Sequence, residues 1–589
     1  MKKLLTGNEA IARGFYEAGG KVASAYPGTP STEILENISG YKGELYCEWA
    51  PNEKVATETA IGASIAGARS LAAMKHVGVN VAADPMFTFS YTGVNGGFIL
   101  ISADDPELHS SQNEQDNRHY ARAAKMCMLE PSDSQECLDM VKYGFDLSEE
   151  YDVPVMLRST TRVCHSKSVV ETGERVEREI RPYVKNNAKY DAVPAVSRAL
   201  HHKVEERVQA LTAVSNSCRF NYAIDNGAKI GVVANGVGFQ YAREVFGTGA
   251  NYYKVGMSYP MPIESIRKFA EGLDKLYVVE ELEPFMEDQL KAAGIGCIGK
   301  ELIPICGELN PSIVRKAIFG EVPGHLEVSS PVTNRAPALC AGCPHRGLFL
   351  ELGKHKDAII SGDIGCYALG GSDPYCAKDV GMCMGASISM AHGMKKAFAQ
   401  YGIERKVVAT IGDSTFFHTG INSLMGTVYN KGDTLTIILD NRITGMTGHQ
   451  QNPGTGYTLM GEETAEMSLE ELVKAIGVKQ VRVIDPTDLA ACKEAINWGF
   501  EQKEPAVIIT RYPCALKKYS RQDKEEFRPL SKCRVDPEKC IGCKACIRTG
   551  CPALSYNETT KKVTVLSAQC TGCAICAQVC PKKAIEEDK

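Results

Sequence analysis

The sequence predicts a multidomain α/β protein, with parallel sheets flanked by helices and a small α+β domain at the carboxyl end. Apolar segments of strand length alternate with amphipathic helical segments along most of the chain, which favours parallel sheets covered by helices. The chain has 589 residues, more than one hydrophobic core usually serves. A cysteine motif occurs twice near the carboxyl end and sets a small tail apart from the α/β body.

The composition is that of an ordinary globular protein, with 44% hydrophobic and 23% charged residues. Basic and acidic side chains number 66 and 71, so the charge gives no sign of a nucleic acid or membrane-surface partner. No apolar run approaches the roughly 20 residues that span a bilayer, and "MKKLLTGNEAIARG" lacks the apolar core of a secretory signal. We therefore expect a cytoplasmic protein whose 23 cysteines ligate metals or clusters rather than form disulfides.

The first α/β domain is predicted over residues 1–190. Its segment "TGNEAIARGFYEAG" is typical of an amphipathic helix, "KVASAYPG" of a strand that ends in a turn, and "NEKVATETAIGASIAGAR" of a helix rich in small residues. Residues 191–225 are polar and irregular in pattern. We therefore expect a linker or insertion between this domain and the next.

A second α/β domain is predicted over residues 226–325, with "KIGVVANGVG" as strand and "FQYAREVF" as helix. Its "GVGFQY" begins like a dinucleotide-binding fingerprint, but Tyr241 stands where the third glycine belongs, which disfavours NAD binding. A third α/β domain, residues 326–520, has strands in "RKVVATIGD", "TLTIILDN" and "PAVIITRY". The charged "KKYSRQDKEEFRPLSK" is interpreted as a tether to the tail, residues 530–589.

The tail contains "CIGCKACIRTGCP" and then "CTGCAICAQVCP". Cysteines three apart on a glycine-containing loop can point their sulfurs into one concavity, and the doubled pattern resembles a bacterial two-cluster ferredoxin. Paired zinc sites are the alternative, which eight cysteines in this order with two Cys-Pro endings disfavour. In the ferredoxin arrangement the fourth cysteine of each run serves the other cluster, which implies Cys540, Cys543, Cys546 and Cys580 for one [4Fe–4S] cluster and Cys570, Cys573, Cys576 and Cys551 for the second.

A possible cation site lies in the third α/β domain, where Gly412, Asp413 and Ser414 end one strand and Asn441 follows the next. An aspartate and an asparagine on adjacent strand ends can share a hard cation such as Mg²⁺. The spacing resembles the GDG…N motif of thiamine diphosphate enzymes, with Ser414 in place of the last glycine. That resemblance implies Mg²⁺ held by the side chains of Asp413 and Asn441 and the backbone oxygen of Ile443. The alternative is an aspartate that only caps a helix.

Thiamine chemistry also needs a carboxyl group against the aminopyrimidine ring, and "NEKVATETAIGASIAGAR" offers Glu53 and Glu58. Helices of this kind place the glutamate nine residues before a glycine near the helix end, which selects Glu58 with Gly67. Glu53 lies on a different helical face and is expected to be solvated. The predicted catalytic residue is therefore Glu58.

With both features in view, the chain resembles the 2-oxoacid:ferredoxin oxidoreductases over nearly all of its length. "YPGTPSTEI" is similar to the "YPITPS" segment of the pyruvate enzymes, and "CAGCPHRG", "GDIGC" and "VIITRYPCALK" to segments that carry cluster ligands. The resemblance implies a pyrimidine-binding domain, a transketolase C-terminal-like domain and a diphosphate-binding domain, in chain order. It further implies a proximal [4Fe–4S] cluster beside the thiamine, held by Cys340, Cys343, Cys366 and Cys514. The alternative for "CAGC" is a redox or structural cysteine pair.

Two departures from the pyruvate enzymes concern the substrate. "LISADDPE" puts Asp104 where those enzymes carry an arginine for the carboxylate, and Met446 replaces an asparagine after the magnesium loop. Both point to a larger and less polar side chain on the substrate. Thr29 and Met446 are the candidate substrate-binding residues.

The resemblance implies an anaerobic enzyme that decarboxylates aryl 2-oxoacids oxidatively, to aryl-acyl-CoA and CO₂. Its expected cofactors are thiamine diphosphate, Mg²⁺ and [4Fe–4S] clusters that pass electrons to ferredoxin. A smaller gamma-type subunit, called beta in a two-subunit enzyme, is expected as partner in a heterotetramer with two of each. The alternatives are a related enzyme for another 2-oxoacid, a non-oxidative thiamine decarboxylase, and a non-catalytic electron-transfer protein.

Overall fold

A computed structural model describes residues 1–321, 324, 336–527 and 531–587. The chain divides into two compact units, residues 1–329 and 330–589. Within the described ranges, every helix is too short or too polar to cross a lipid bilayer.

A seven-stranded sheet forms the centre of the first unit. Six strands run parallel, and the edge strand Met257–Tyr259 is antiparallel to its neighbour. In spatial order the strands are Met257–Tyr259, Cys127–Leu129, Val155–Thr160, Phe98–Asp104, Ser70–Lys75, Val22–Ala25 and Tyr46–Trp49. The helices of residues 1–165 are Gly7–Glu17, Thr32–Ser39, Glu53–Ile65, His76–Thr92, Arg118–Ala124, Ser134–Tyr151 and Thr161–His165. Strands Lys2–Thr6 and Lys167–Glu171 form a separate antiparallel pair.

A second, four-stranded sheet belongs to the same compact unit. Its strands, in spatial order, are Lys275–Val279, Ile230–Asn235, Asn251–Val255 and the antiparallel Tyr222–Ile224. Its helices are Gly236–Phe246, Ile263–Ala270, Phe285–Ala292 and Pro311–Phe319. The strand Met257–Tyr259 follows this sheet in the chain yet pairs with the first sheet, and one buried cluster contains Leu100 as well as Val233. The segments 1–190 and 226–325, expected as separate domains, therefore share a sheet and a core.

The expected irregular linker over residues 191–225 is corrected by the structure. A 24-residue helix, Pro194–Ser217, occupies most of it after the short helix Asn187–Tyr190. Proline at the first turn of a helix is favoured, and Leu200, Val204 and Leu211 are buried against the first unit. Because the helix has so few buried apolar positions, its sequence shows little amphipathic periodicity. The hydrophobic pattern of the segment is therefore that of an irregular linker.

The second unit is built on a five-stranded, fully parallel sheet. Its strands, in spatial order, are Ala358–Gly362, Lys406–Gly412, Leu435–Asp440, Ala506–Arg511 and Gln480–Ile484. Its helices are His345–Leu352, Ala386–Gln400, Asp413–Thr415, Ile421–Tyr429, Leu469–Ile476 and Leu489–Glu501. Buried clusters cover both faces of the sheet, as is usual for an all-parallel sheet. The α/β fold class predicted from the sequence is confirmed.

The cysteine-rich tail lies within the second unit. It contains two antiparallel strand pairs, Cys533–Val535 with Ile585–Glu587 and Leu554–Asn557 with Lys562–Val565, and the short helix Ile575–Gln578. The ferredoxin-like α+β domain expected over residues 530–589 stays a prediction, and residues 530, 588 and 589 lie outside the described residues.

The charged segment before the tail was expected to be a tether, and the structure corrects this. Its helix Arg521–Glu526 carries a buried carboxylate, Asp523. Lys517 Nζ donates to Asp523 Oδ2 at 2.6 Å, and Arg442 Nε lies 3.1 Å from Asp523 Oδ1. The charges of this segment hold it against the body of the unit. Residues 528–530 of the predicted tether lie outside the described residues.

Candidate active site

The carboxyl ends of four adjacent parallel strands meet at one edge of the five-stranded sheet. The residues that follow those strands are Cys366, Asp413, Asn441 and Cys514, in the spatial order of the strands. This edge is where open α/β sheets bind ligands. The predicted magnesium ligands and two of the predicted proximal cluster ligands therefore belong to the same end of the fold.

Gly412 permits the strand to turn into the site. A Cβ atom there would lie 2.5 Å from Cε1 of Tyr367, so a larger residue would displace that ring. The hydroxyl of Tyr367 in turn donates to the Ile364 carbonyl at 2.6 Å and lies 2.9 Å from Thr415 Oγ1. Ser414, in the place of the motif's last glycine, accepts a hydrogen bond from Thr444 Oγ1 at 2.9 Å.

The side-chain amide of Asn441 lies between two other oxygen atoms. The amide atom that faces them is 2.7 Å from the Ile443 carbonyl oxygen and 3.2 Å from Asp413 Oδ1. If the amide nitrogen occupies this position, it donates hydrogen bonds to both oxygen atoms. If the amide oxygen occupies it, three oxygen acceptors converge, and a hard cation bound between them stabilises that orientation. The three groups predicted as magnesium ligands are thus brought together, and their donor set fits Mg²⁺.

Asp413 is buried and lies near a second carboxylate, Asp440. Burial raises the pKa of Asp413 to about 7, and the charge of Asp440 adds to the increase. Asn452 Nδ2 donates to Asp413 Oδ2 at 3.1 Å, and Arg511 Nε donates to Asp440 Oδ2 at 2.8 Å. Buried carboxylates that repel each other are costly unless a cation is nearby. The electrostatics therefore agree with the donor set.

A cavity of about 580 Å³ opens beside Asp413 and Asp440. Gly454, Thr455 and Gly456, which precede helix Leu469–Ile476 in the chain, form part of its wall. Arg511 also reaches this cavity. A space of this size, with both positive and negative groups in its wall, is large enough for a small organic cofactor.

The structure contradicts the sequence-based choice between the two glutamates. Glu58, predicted to be catalytic, is exposed, with 47% of its side chain accessible, and pairs with Lys54 at 2.5 Å. Glu53, predicted to be solvated, is 5% exposed at the first turn of its helix. A Cβ at Gly78 would lie 2.8 Å from Glu53 Oε1, so the glycine lets the neighbouring helix approach this carboxylate.

Glu53 lies at the carboxyl edge of the seven-stranded sheet, with Lys75 and Thr29. The three residues follow or end three adjacent parallel strands, Tyr46–Trp49, Ser70–Lys75 and Val22–Ala25. Burial lowers the pKa of Lys75 to about 8, while the charges of Asp105 and Glu53 oppose the shift. A Cβ at Gly28, next to Thr29, would lie 3.1 Å from the Lys75 stem. The predicted substrate residue Thr29 is therefore near a lysine that sequence reasoning did not select.

The two substrate departures have different surroundings. Asp104 is fully buried, and its Oδ2 accepts a hydrogen bond from Arg158 Nε at 2.8 Å. It therefore belongs to an ion pair inside the first unit. Met446 is 48% exposed in the second unit.

The four cysteines predicted for the proximal cluster are close enough to influence one another. Burial raises the pKa of Cys343 to about 12, and Cys514 and Cys366 add to the increase. Cys340 and Cys514 likewise add to the effect of burial on Cys366. The amide of Cys514 donates to the Asn441 carbonyl at 3.0 Å. Cys366 and Cys514 thus adjoin the cation half-site.

Two cavities in the tail sort the eight predicted ligands into the two predicted sets. The walls of the first include Cys540, Cys543, Cys546 and Cys580, and the walls of the second include Cys551, Cys570, Cys573 and Cys576. The exchange of the fourth cysteine between the two runs, which the ferredoxin resemblance implies, agrees with this sorting. The four predicted ligands in each cavity fit a cubane cluster.

The second tail cavity has two further neighbours. Cys533 reaches its wall, and the Cys533 amide donates to Cys570 Sγ at 3.3 Å. Sequence reasoning missed this ninth thiol because it lies outside both motifs. Ala341 and Gly342, from the loop between Cys340 and Cys343, also line the cavity. The proximal cysteine loop therefore packs directly on the second tail site.

Three family models match the chain. "Pyruvate flavodoxin/ferredoxin oxidoreductase, thiamine diP-bdg" matches residues 13–221, "Indolepyruvate oxidoreductase domain" matches residues 222–297, and "Thiamine pyrophosphate enzyme, C-terminal TPP binding domain" matches residues 363–510. The first and third cover the segments that carry Glu53 and Asp413.

Relatives match over the whole chain. Indolepyruvate oxidoreductase subunit IorA of Archaeoglobus fulgidus is 39% identical, over 100% of this chain and 98% of the relative. The subunit of the same name from Methanothermobacter thermautotrophicus is 40% identical, over 100% of this chain and 97% of the relative. The chain belongs to the IorA family of indolepyruvate oxidoreductase subunits.

As an IorA-family member, the chain is an enzyme, a thiamine diphosphate-dependent 2-oxoacid oxidoreductase. The family and enzyme class predicted from the sequence are confirmed. Among solved structures, a 2-oxoglutarate:ferredoxin oxidoreductase from Magnetococcus marinus aligns at 18% identity with a TM-score of 0.47, over 54% of this chain and 65% of that chain.

Proposed function

We propose that the chain decarboxylates indolepyruvate and similar arylpyruvates oxidatively, to aryl-acyl-CoA and CO₂, with ferredoxin as the electron acceptor. One observation carries the oxidative part of this proposal. Cys366 and Cys514 follow strands that flank those of Asp413 and Asn441, and the Cys514 amide bonds to the Asn441 carbonyl. A redox centre so close to the cofactor half-site is of use to an enzyme that removes electrons.

In this proposal Asp413, Asn441 and the Ile443 carbonyl hold Mg²⁺, and the cavity beside Asp413 receives the cofactor's diphosphate. Gly412 keeps the backbone close to that anion. Thiamine diphosphate supplies the carbon acid and the electron sink that oxoacid decarboxylation requires. Asn452 and Arg511 keep Asp413 and Asp440 oriented through the hydrogen bonds given above.

We assign the activating carboxylate to Glu53. Its burial keeps Oε1 out of bulk water. In such a buried position a carboxyl group can hold a proton or release it toward an aminopyrimidine nitrogen. Lys75 lies in the same desolvated edge and gives the region a positive charge. Glu58, bonded to Lys54 in solvent, offers no such environment.

The three cysteine sets hold three [4Fe–4S] clusters in this proposal: a proximal one beside the thiamine and two in the tail. With clusters bound, the proximal set would accept electrons beside the cofactor, and the second tail set, whose cavity the proximal loop lines, would relay them to the first tail set. A tail of the two-cluster ferredoxin type gives the final exit toward ferredoxin.

Partner and substrate proposals follow from the relatives' names and the chain's own residues. The relatives are called subunits of indolepyruvate oxidoreductase, so we propose a second, smaller subunit in a heterotetramer. Thr29 of the first unit and Met446 of the second are each proposed as substrate-binding residues. None of the 23 cysteines, all of which lie in the described part of the chain, forms a disulfide, which agrees with our proposal that the enzyme functions in an anaerobic, reducing cytoplasm.

The test is turnover of the full chain with its partner subunit, without oxygen, on a panel of 2-oxoacids. Each reaction contains thiamine diphosphate, Mg²⁺, coenzyme A and a viologen dye. We expect dye reduction that depends on coenzyme A and is faster with arylpyruvates than with pyruvate or 2-oxoglutarate.

Other outcomes separate the alternatives. Aldehyde without dye reduction would identify a non-oxidative decarboxylase. Preference for a non-aryl oxoacid would identify a related oxidoreductase with another substrate. Absence of thiamine diphosphate binding would support a non-catalytic electron-transfer protein.

A further inference from the structure

Arg346 is a buried arginine without an acidic partner in the described part of the chain. Its side chain is 1% exposed. Nη1 donates to the Thr549 carbonyl at 2.7 Å and to the Tyr375 hydroxyl, and Nη2 donates to the carbonyls of Leu339 and Cys340 at 2.9 and 2.8 Å. Nε is buried and has no hydrogen-bond acceptor in the structure. All these acceptors are uncharged, so no acidic side chain among the described residues balances the guanidinium charge within hydrogen-bond reach.

Other buried arginines of this protein are balanced by acids. Arg118 pairs with Asp116 and Glu280, each at 2.5 Å. Arg158 pairs with Asp104 at 2.8 Å and with Glu130 at 2.7 Å. A buried charge is very costly unless it is paired. The exception at Arg346 therefore points to a negative group that the protein binds.

The position of Arg346 indicates which negative groups these are. Two of its acceptors, the Leu339 and Cys340 carbonyls, open the proximal cysteine loop, and Thr549 lies two residues before Cys551 of the second tail set. On the other side of that loop, Gly342 packs against Thr571, where a Cβ would overlap Oγ1. Arg346 thus sits where the proximal loop meets the tail.

The guanidinium charge reaches cysteines of both sets. Its nitrogens lie 2.8 Å from the carbonyl oxygen of Cys340 of the proximal set and 2.7 Å from that of Thr549, two residues before Cys551 of the second tail set. The thiolates of the first tail set belong to a different cavity, whose walls are formed by tail residues alone. The field of Arg346 therefore favours negative charge on two of the three sets.

We propose that Arg346 is the shared counter-charge of the proximal cluster and of the second tail cluster. Four thiolates leave a [4Fe–4S] cluster negative, and each electron that enters makes it more so. A fixed positive charge in a low-dielectric region stabilises the reduced form and raises the reduction potential. Arg346 is thereby a positioning residue that keeps both clusters reducible along the electron path. This inference rests on the three clusters of the proposed function.

The experiment compares wild type, Arg346→Gln and Arg346→Lys in the full chain with its partner subunit. Each protein is titrated with dithionite without oxygen, and the clusters are followed by electron paramagnetic resonance, with iron per chain measured alongside. In Arg346→Gln we expect two midpoint potentials to fall and the third, that of the cluster held by Cys540, Cys543, Cys546 and Cys580, to stay at its wild-type value. Arg346→Lys retains the charge, so its potentials fall less.

A fully loaded Arg346→Gln protein with three unchanged potentials would overturn the proposal, as would an equal shift of all three. If the glutamine variant loses iron, the lysine variant decides. Restored iron with near-wild-type potentials supports a counter-charge, whereas equal iron loss shows a hydrogen-bond clamp instead. Dithionite needs no oxoacid, so a wild type that titrates normally but does not turn over substrate would refute the proposed reaction and leave this test intact.

Discussion

Glu53 and Glu58 lie on one helix, five residues apart, and differ in their surroundings. Glu53 is buried beside Gly78 and near Lys75, whereas Glu58 is in solvent with Lys54. A buried carboxyl group is held in a fixed position away from bulk water, as an acid–base group in a cofactor site must be. The two residues therefore form a matched pair for a test of the proposed activating carboxylate.

We expect Glu53→Gln to lower oxoacid-dependent dye reduction by at least about 100-fold, the usual contribution of a positioned acid–base group. Glu58→Gln, the same substitution on the same helix, should retain activity near that of wild type. Thiamine diphosphate binding, measured by calorimetry on both variants, should remain within about tenfold of wild type, because the magnesium ligands are untouched. Loss of turnover in Glu58→Gln with activity retained in Glu53→Gln would return the role to Glu58.

The sequence alone could not decide between these residues. Glu58 precedes Gly67 by nine positions, and Glu53 precedes Gly62 by nine positions as well. Because both glutamates satisfy the nine-residue spacing, the spacing cannot select one of them. Burial distinguishes Glu53 from Glu58. The burial of Glu53 depends on how helix His76–Thr92 packs against it through Gly78, and such a tertiary contact leaves no local pattern in the sequence.

At the scale of elements, the helix Arg521–Glu526 shows how charge can fix a segment that looks like a linker. Asp523 is buried and is shared by Lys517 and Arg442, and Arg442 also pairs with Glu466 and Glu526. Composition predicted a solvated tether because a run of charges usually is one. The residue that pairs with the buried Asp523 and fixes the segment, Arg442, is distant in sequence, so the local composition does not reveal this ion pair.

We expect Asp523→Ala to loosen the segment 517–527. Removing one partner of a buried ion pair costs about 3 kcal/mol, which would raise the rate of tryptic cleavage within the segment by about 100-fold if cleavage follows local opening. Glu525→Ala is the control, since its pair with Arg521 is exposed and exposed pairs contribute little. Equal cleavage rates in the two variants would mean that the buried pair does not anchor the helix.

Elements with strong local patterns were predicted well from the sequence, and weakly patterned ones were not. The strands Lys406–Gly412 and Leu435–Asp440 are mostly apolar and are buried along nearly all of their length, as parallel strands covered on both faces are. Helix Pro194–Ser217 has few buried apolar residues along its length, and its sequence therefore predicts a linker. Its stability depends on the surface that it covers, which its own residues do not reveal.

At the scale of the whole molecule, each compact unit gathers its candidate residues at the carboxyl edge of one parallel sheet. In the first unit these are Thr29, Glu53 and Lys75, and in the second they are the cation half-site and two cysteines. Strand ends can be predicted from sequence, but their spatial order cannot. The order Ala358–Gly362, Lys406–Gly412, Leu435–Asp440, Ala506–Arg511 is what brings Cys366 and Cys514 to either side of Asp413 and Asn441.

In the proposed electron path the proximal set connects the thiamine site to the tail, and Cys514→Ala tests that connection. We expect the variant to lose about four of about twelve iron atoms per chain, because one cubane cluster loses a ligand. Dithionite, which reaches the exposed Cys543 side of the tail, should still reduce the remaining clusters. Oxoacid with coenzyme A should no longer reduce them, since the electrons have no acceptor next to the cofactor.

Cys492→Ala is the matched control, because Cys492 is a buried free thiol of the same unit that belongs to none of the three sets. It should retain about twelve iron atoms and reduce its tail clusters with oxoacid as wild type does. Stopped-flow absorbance of the clusters after oxoacid addition gives the rate for both variants. If Cys514→Ala holds about eight iron atoms and its tail clusters are still reduced by oxoacid at the wild-type rate, electrons reach the tail without the proximal set. The path through Cys340, Cys343, Cys366 and Cys514 would then have to be abandoned.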